Sequence, residues 1–349
     1  MVDQAKRHLR RIERPIEPNL PIIDPHHHFW PSAGGTEPFL HPRYLLDDLL
    51  ADMRTGHDVI ATVFLNCAAA RRTTGPEHLA CVGETEFVNA IAEEAARRPD
   101  NHIDVAAGIV GSADLTLGAE VGEVLDAHLE AAPLRFRGVR FGLFWHEDRE
   151  IHNPDLNPEP RIHDPRIHEG ANELARRNLS FESWVYHTQL AALAEFAGAL
   201  PDLTIILNHL GGPIGAGRYA TERDQVFADW SRGMQALSAH PNVVVKLGGI
   251  NMWTNGYDWD ALEYYPDSAE IAEKTRRYYL QAIELFGAER CMFESNFPME
   301  SVAYPTLWNV FKRISAGFSS AEKAALFHDT AARVYRLGRS GRSARPTSR

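Results

Sequence analysis

The chain has 349 residues, 44% of them hydrophobic and 24% charged, which is the composition of an ordinary globular protein that buries a large core in one domain or two. Its formal net charge of −11, from 36 basic and 47 acidic residues, argues against nucleic acid or an anionic membrane as the main partner. No long apolar run predicts a membrane span, and three separated cysteines without CxxC spacing indicate reduced thiols and a cytoplasmic location.

A histidine triplet follows the first apolar run of the chain, at residues 20–24. Because side chains alternate along an extended strand, we expect His26 and His28 on the face that Asp24 uses and His27 on the other face. Two converging imidazoles suit a divalent metal, or proton transfer at one substrate atom. A surface histidine run is the alternative, and the position at the end of an apolar strand disfavours it.

Eight short runs rich in β-branched residues alternate with longer stretches rich in Ala, Glu and Leu. The runs lie at residues 20–24, 59–65, 103–110, 137–144, 180–186, 203–208, 242–247 and 290–296. Helices are predicted at about 84–97, 117–131, 166–177, 188–199, 222–239, 268–286, 303–315 and 320–336. Several runs are apolar on both faces, as a parallel sheet covered by helices requires.

This pattern predicts one domain at residues 20–338, an α/β fold of the (β/α)8 TIM-barrel type with inserted loops. A doubly wound open sheet is the competing architecture, but no GxGxxG follows the first run. Residues 1–19 are predicted to be a basic N-terminal extension without a signal peptide, and residues 339–349 a disordered C-terminal tail.

Polar residues recur at the predicted carboxyl ends of the strands, which is where the active sites of such barrels lie. Four histidines from three strands are therefore expected to meet over one barrel mouth. In strand order the polar residues are His26 and His28, Asn66, Arg140, His187, Asn208 and His209, Lys246, and Glu294 and Asn296.

Two long loops are prominent. Residues 145–168 form a Pro-, His- and acid-rich segment whose length is typical of a functional lid, and whose four histidines are predicted to be solvated. Residues 253–265 carry five aromatic residues, including Trp253, which are predicted either to wall a pocket for a ring-shaped substrate or to pack on one another.

Together the ordered motifs resemble the amidohydrolase superfamily, and within it the branch of 2-pyrone-4,6-dicarboxylate lactonase and sugar-acid lactonases. The resemblance covers about residues 20–338. It rests on DPHHHFW at 24–30, GETEF at 83–87, GIV at 108–110, RGVR at 137–140, HTQL at 187–190, NHLG at 208–211, KLGG at 246–249 and MFESNFP at 292–298.

The resemblance implies a barrel that hydrolyses a cyclic ester. His26 and His28 match the family's His-X-His pair, and His187 and His209 match its histidines of strands 5 and 6. Arg140, and less closely Arg137, match basic residues that hold a substrate carboxylate. For the cofactor, the resemblance leaves two options open, since the superfamily contains both. One is a divalent metal such as zinc, with His26, His28 and His187 as the candidate ligands, and the other is metal-independent catalysis.

Strand 8 departs from the family, in which it usually ends Ser-Asp-Trp/Phe-Pro and the aspartate activates water. Here Asn296 stands at that position, and a carboxamide has no useful basicity. Glu294 lies two residues earlier on the same strand face and is the first candidate for the base, with a structural partner of a histidine as the alternative. His187 and His209 are further candidates.

The sequence thus predicts a hydrolase that opens a lactone of a carboxylated or polyhydroxylated small molecule. Arg140 and Lys246 are expected to bind its anionic group, with Trp253 in the pocket wall. A metal-dependent decarboxylase and a non-catalytic binding barrel are the alternatives. No nucleic-acid or membrane partner is expected, and a homodimer is one candidate for the oligomeric state.

Overall fold

The computed structural model describes residues 12–31, 43–152 and 156–338. The predicted C-terminal tail and most of the predicted N-terminal extension lie outside these residues. No helix in the described ranges is both long enough and apolar enough to cross a membrane.

Eight parallel strands pair in sequence order and form the predicted barrel. The sheet closes where His27 bridges Phe297 and the His28 backbone N donates to the Phe297 carbonyl (2.8 Å). The single-domain (β/α)8 prediction is therefore confirmed. The strands are β1 Pro21–His27, β2 Asp58–Leu65, β3 Asp104–Gly111, β4 Phe136–Arg140, β5 Ser180–Ser183, β6 Ile205–Leu207, β7 Val243–Leu247 and β8 Cys291–Phe293.

The helices surround the sheet and follow the predicted positions closely, except that α1 was not predicted. The predicted helix at 320–336 consists of two short helices joined by a π-helical turn at Ala325–Asp329. The helices are α1 Leu46–Met53, α2 Val82–Arg97, α3 Val121–Ala131, α4 Pro165–Arg176, α5 Leu190–Ala199, α6 Arg223–Ser238, α7 Ser268–Phe286, α8 Tyr304–Ile314, α9 Ser320–Ala324 and α10 Thr330–Val334.

Strand alternation divides the core into two layers. Outward residues such as Phe181 pack against the helices, whereas Ile23, Val110 and Ile206 fill the barrel interior. Tyr335, just after α10, is buried in that same interior cluster. Residues 331–337, here called the C-terminal segment, therefore pack into the barrel interior, and the carboxyl ends of the strands remain for a site.

The described part of the N-terminal extension packs along α7 and α8. Glu13 accepts hydrogen bonds from the backbone N (2.6 Å) and hydroxyl (2.5 Å) of Ser268, and the Ile16 backbone N donates to Asn309 (2.8 Å). Lys312 donates to the Glu17 carbonyl (2.8 Å). Residues 13–17 are thus held by specific contacts.

Candidate active site

The two outer histidines of the triplet face the same side, as predicted. The ring centroids of His26 and His28 lie 4.9 Å apart at nearly right angles, and both side chains are buried. His27 points elsewhere and contacts the Thr62 hydroxyl through Nε2 (2.9 Å). His28 Nδ1 lies 2.9 Å from the Leu65 carbonyl, so it is the donor, and Nε2 of the neutral ring carries a lone pair.

Asp24 does not share the environment of His26 and His28. The pairing of β1 with β2 is irregular between Asp24 and His27, and Asp24 accepts hydrogen bonds from Tyr304 Oη (3.1 Å) and the Ser295 backbone N (3.0 Å). Burial raises the pKa of the Asp24 carboxyl to about 6, against the lowering effect of these hydrogen bonds. Asp24 therefore ties the end of β8 to β1 and α8.

A buried carboxylate joins two of the predicted histidines. Glu294 Oε2 lies 2.5 Å from His26 Nδ1, and Oε1 accepts from His209 at Nδ1 (2.7 Å) and the backbone N (3.2 Å). The rings of His26 and His209 lie 4.6 Å apart. Three residues from three strands thus form one compact acid-imidazole group.

Two glycines after β7 make room for this group. A Cβ at Gly248 would lie 2.3 Å from Glu294 Cγ, and a Cβ at Gly249 would lie 2.5 Å from His209 Cγ. Gly249 also adopts a positive φ of 65°, which a side chain would disfavour. The two glycines that end the Lys-Leu-Gly-Gly motif at 246–249 are therefore required by the packing of Glu294 and His209.

Arg140 fixes the proton arrangement of His26. Its Nη1 donates to His26 Nε2 (3.1 Å), and because a guanidinium keeps its protons, that nitrogen must be the acceptor. Neutral His26 then carries its proton on Nδ1, beside Glu294. Burial, followed by the charge of Lys246, holds the pKa of His26 well below its ordinary value. No carboxylate in the described ranges forms an ion pair with Arg140.

Asn296 lies beside the second histidine of the pair. Its side-chain amide is buried, with Oδ1 3.3 Å from His28 Nε2 and Nδ2 3.4 Å from Glu300 Oε1. Asn296 is thus close to the predicted centre, but a carboxamide there has no useful basicity.

Lys246 does not present a free amine to the barrel mouth. Its Nζ lies 2.7 Å from Glu182 Oε2, and both side chains are fully buried. Asn208 Nδ2 donates to the same oxygen (2.9 Å), and Tyr335 Oη donates to Oε1 (2.6 Å). Glu182 was not among the predicted site residues, although a single acid within the otherwise largely apolar run at 180–186 was a usable signal. Asn66, after β2, donates to Glu84 of α2.

His187 lies in a different environment from the other three predicted histidines. Trp184 directly follows β5, and His187 begins a short 3-10 turn. The Ile214 backbone N donates to His187 Nδ1 (3.3 Å), and the His187 ring packs 5.3 Å from Tyr219. Burial lowers the pKa of His187 to about 4.

An aromatic cap surrounds His187 and approaches the site through Trp184, whose ring lies 6.0 Å from that of His209. Two loop histidines predicted to be solvated are buried in this cap: His146 Nε2 contacts Tyr219 Oη (3.2 Å), and His152 Nε2 donates to the Asn157 carbonyl (2.7 Å). That prediction was wrong for these two because both rings have fixed partners in the folded loop. The cap consists of Phe144, His146, His152, Trp184, Tyr186, His187 and Tyr219.

Two predicted substrate-binding residues are not brought to the centre. Arg137 donates to the main-chain carbonyls of Tyr335 (2.6 Å), Phe136 (3.0 Å) and Leu134. Trp253 is 54% exposed to solvent. The guanidinium of Arg137 is thus used within the fold, and the indole of Trp253 lies largely in water.

The geometry fits one divalent ion, although with a different ligand set from the predicted His26, His28 and His187. In the described part of the chain, ligand atoms of His26, His209 and Glu294 lie within 4.8 Å of one another. His26 Nδ1 and Glu294 Oε2 are buried 2.5 Å apart, and neither atom has an aligned hydrogen-bond partner among the described residues. Two imidazoles with one glutamate also form a known donor set for catalytic zinc.

The family model described as Amidohydrolase matches residues 23–337, so the chain belongs to this family. It is 33% identical over 336 residues to the uncharacterized protein y4mH of Sinorhizobium fredii, a match that covers 91% of this chain and 99% of the relative. It is also 26% identical to an L-fucono-1,5-lactonase of Burkholderia ambifaria, covering 80% and 81% of the two chains.

A decarboxylase and an amidohydrolase with bound zinc are also similar to the chain. A gamma-resorcylate decarboxylase of Rhodococcus jostii is 24% identical, with coverage of 80% of this chain and 84% of the relative. The crystal structure of a Burkholderia multivorans amidohydrolase with bound zinc is similar at a TM-score of 0.69 and 25% identity, covering 91% of this chain and 99% of that one. The comparisons support a lactonase-like hydrolase within this family.

Proposed function

We propose that the protein hydrolyses a lactone, the cyclic ester of a carboxylated or polyhydroxylated small molecule. One observation carries this proposal: the Glu294 carboxylate is held between His26 and His209, with the Arg140 guanidinium on the far nitrogen of His26. This places an acceptor for a water proton beside a fixed positive charge, the two groups that ester hydrolysis requires. The similarity to L-fucono-1,5-lactonases supports the same reaction class.

In this proposal Glu294 is the general base in place of the missing aspartate. Water attacks the ester carbonyl carbon, its proton passes to Glu294, and the ring C–O bond breaks as the tetrahedral intermediate collapses. The proton returns to the departing ring oxygen, so the product is one hydroxy acid. His209 holds the carboxylate through its ring and its backbone N, which leaves Oε2 beside His26 as the acceptor.

Arg140 is proposed to bind the anionic or carbonyl oxygen of the substrate. It carries five donors and contacts His26 with one of them, and no carboxylate of the described residues lies within ion-pair distance of it. A guanidinium in such a position suits a carboxylate or a developing oxyanion.

A divalent metal fits the same three residues, and His26, His209 and Glu294 are proposed as its ligands. When bound, the ion would polarise the ester carbonyl and acidify a water molecule. A metal would take the lone pair of one His26 ring nitrogen, so either the proton on Nδ1 or the Arg140 contact to Nε2 would have to change when the ion binds.

The test is a panel of lactones, comprising sugar-acid 1,4- and 1,5-lactones and carboxylated pyrones, assayed by acid release with and without added zinc. We expect at least one lactone to be turned over with kcat/KM of about 10⁴ M⁻¹ s⁻¹ or more. Absence of turnover across the panel, in both metal conditions, would contradict the proposal.

Decarboxylation is the second candidate, because a decarboxylase is among the relatives and Arg140 offers a site for a carboxylate. Carbon dioxide release from hydroxybenzoic acids by the zinc-loaded protein, without lactone turnover, would favour it. Ligand binding without either reaction would favour the non-catalytic barrel.

A further inference from the structure

A buried polar network lies in the barrel interior and connects the C-terminal segment to strand 6. Tyr335 Oη donates to Glu182 Oε1 (2.6 Å), while Lys246 Nζ and Asn208 Nδ2 both contact Glu182 Oε2 (2.7 and 2.9 Å). We call these four residues the floor network. All four side chains are buried, and the mechanism proposed above uses none of them.

The backbone that follows β6 and the floor network has an unusual conformation. His209 and Leu210, which directly follow Asn208, both adopt φ of 54°, a left-handed region that non-glycine residues rarely occupy. Such a conformation persists only where surrounding contacts determine it. At His209 this conformation brings both the backbone N and Nδ1 to Glu294.

Main-chain hydrogen bonds hold this turn, among them Asn208 N to the Ser183 carbonyl (2.9 Å) and Gly211 N to the Asn208 carbonyl (3.1 Å), and side-chain contacts reach it from two sides. The Trp230 indole donates to the Leu210 carbonyl (2.6 Å) on one side. On the other side, Asn208 Nδ2 donates to Glu182, whereas Asn208 Oδ1 is buried and has no hydrogen-bond partner among the described residues. The Asn208 side chain is therefore fixed through its amide nitrogen, and its position depends on the orientation of Glu182.

The orientation of Glu182 depends in turn on Tyr335. Lys246 and Asn208 share Oε2, and Tyr335 is the donor that engages Oε1. A buried carboxylate oxygen without a donor is costly, so loss of the Tyr335 hydroxyl favours rotation of the carboxylate away from Asn208. Arg137 holds the main chain of Tyr335 by donating to its carbonyl (2.6 Å).

We propose that Tyr335 is a positioning residue for His209: its hydrogen bond to Glu182 fixes Asn208 and so the turn that brings the His209 ring onto Glu294. The kinetic part of this inference rests on the proposed lactonase function, whereas its structural part does not. It assigns the C-terminal segment a role in the site in addition to filling the barrel interior.

The test compares Tyr335→Phe with Tyr44→Phe in the full chain. Tyr44 is a matched control, since it is also a buried tyrosine that donates to a carboxylate, Asp52 (2.8 Å), outside the site. For Tyr335→Phe we expect kcat on the best lactone to fall roughly 10- to 100-fold with KM within about twofold, because a misplaced catalytic group slows chemistry more than binding. Tyr44→Phe is expected to retain wild-type kcat.

Crystal structures of both variants give a readout that needs no substrate. In Tyr335→Phe we expect the Asn208–Glu182 contact to be lost and His209 Nδ1 to move beyond hydrogen-bonding distance of Glu294. An unchanged His209–Glu294 contact in that structure overturns the inference, as does an unchanged kcat. A displaced His209 in a protein without lactone turnover supports the inference while rejecting the proposed function.

Arg137→Gln provides a second variant if Tyr335→Phe does not fold. It removes the contact to the Tyr335 carbonyl but leaves the hydroxyl, so a smaller fall in kcat, about threefold to tenfold, is expected with KM unchanged. Wild-type kcat in a folded Arg137→Gln protein, together with an unmoved Tyr335, overturns the proposed coupling.

Discussion

Two groups of histidines occupy the same end of the barrel and differ in their partners. His26 and His209 contact Glu294, and His26 also receives a hydrogen bond from Arg140. In the aromatic cap, His187 contacts a main-chain amide, and His146 contacts a phenol and the Arg218 guanidinium (3.4 Å). Burial lowers the pKa of His26 and of His187 alike, so the first group differs from the cap in having a carboxylate, Glu294, between its rings.

The largest expected effect comes from removing the charge at the centre of the first group. Glu294→Gln keeps the shape but removes the base, so we expect kcat for lactone hydrolysis to fall about 10²- to 10⁴-fold. Steady-state kinetics on the best lactone measure this. A Glu294→Gln enzyme with more than a tenth of wild-type kcat would assign the base elsewhere.

Zinc affinity is expected to distinguish the two groups of histidines. We expect the wild-type protein to bind one equivalent of zinc in calorimetric titration, and His209→Asn to weaken that binding roughly 100-fold through loss of a ligand. His187→Asn is the matched control, because asparagine keeps an acceptor near the Ile214 amide, and its zinc affinity should stay within about threefold of wild type. Equal weakening in both variants would place His187 among the ligands, as the sequence analysis proposed.

Arg140 is expected to act mainly on substrate binding. Arg140→Lys keeps the charge but loses the planar donor pair, so kcat/KM for an anionic lactone should fall roughly 10- to 30-fold, mostly through KM. A neutral lactone of similar size is the control and should lose less. The same loss for both substrates would indicate that Arg140 acts on the reacting group and not on a substrate anion.

The smallest effect on activity is expected in the aromatic cap. Replacing His187 there should instead change how the free energy of unfolding depends on pH. The pKa of His187 falls from an ordinary 6.5 to about 4 on folding, so between these values the unfolded chain takes up a proton that the folded chain does not. Stability is therefore lost as pH falls from 6.5 to 4, by about 3 kcal/mol from this residue. The free energy of urea unfolding should depend less on pH in His187→Asn, and an identical pH dependence would contradict the assignment.

The fold was predictable because the strand and helix periods are strong over the whole chain. Helix α1 was missed since it is only 8 residues long and carries three aspartates, so its apolar pattern is brief. The ends of strands were less predictable: β5 stops at Ser183, three residues before the predicted end, which places Trp184 and not His187 at the strand terminus.

Within the site, the grouping of His26, His28 and His209 followed from topology, whereas their partners did not. The irregular pairing of β1 redirects Asp24 to α8, which simple strand alternation does not anticipate. The burial of His146 depends on Tyr219, 73 residues further along the chain. Contacts of that range are set by loop packing and leave no local pattern in the sequence.

The close packing of Gly248 and Gly249 against Glu294 and His209 makes these positions interdependent. A chain with an alanine or serine at 248 has no room for a glutamate at 294. A glycine must therefore be present at 248 before a glutamate at 294 can be accommodated. Any search for other proteins with this arrangement should therefore require the glycine pair and the acid together, because neither alone identifies the same packing of Glu294 and His209.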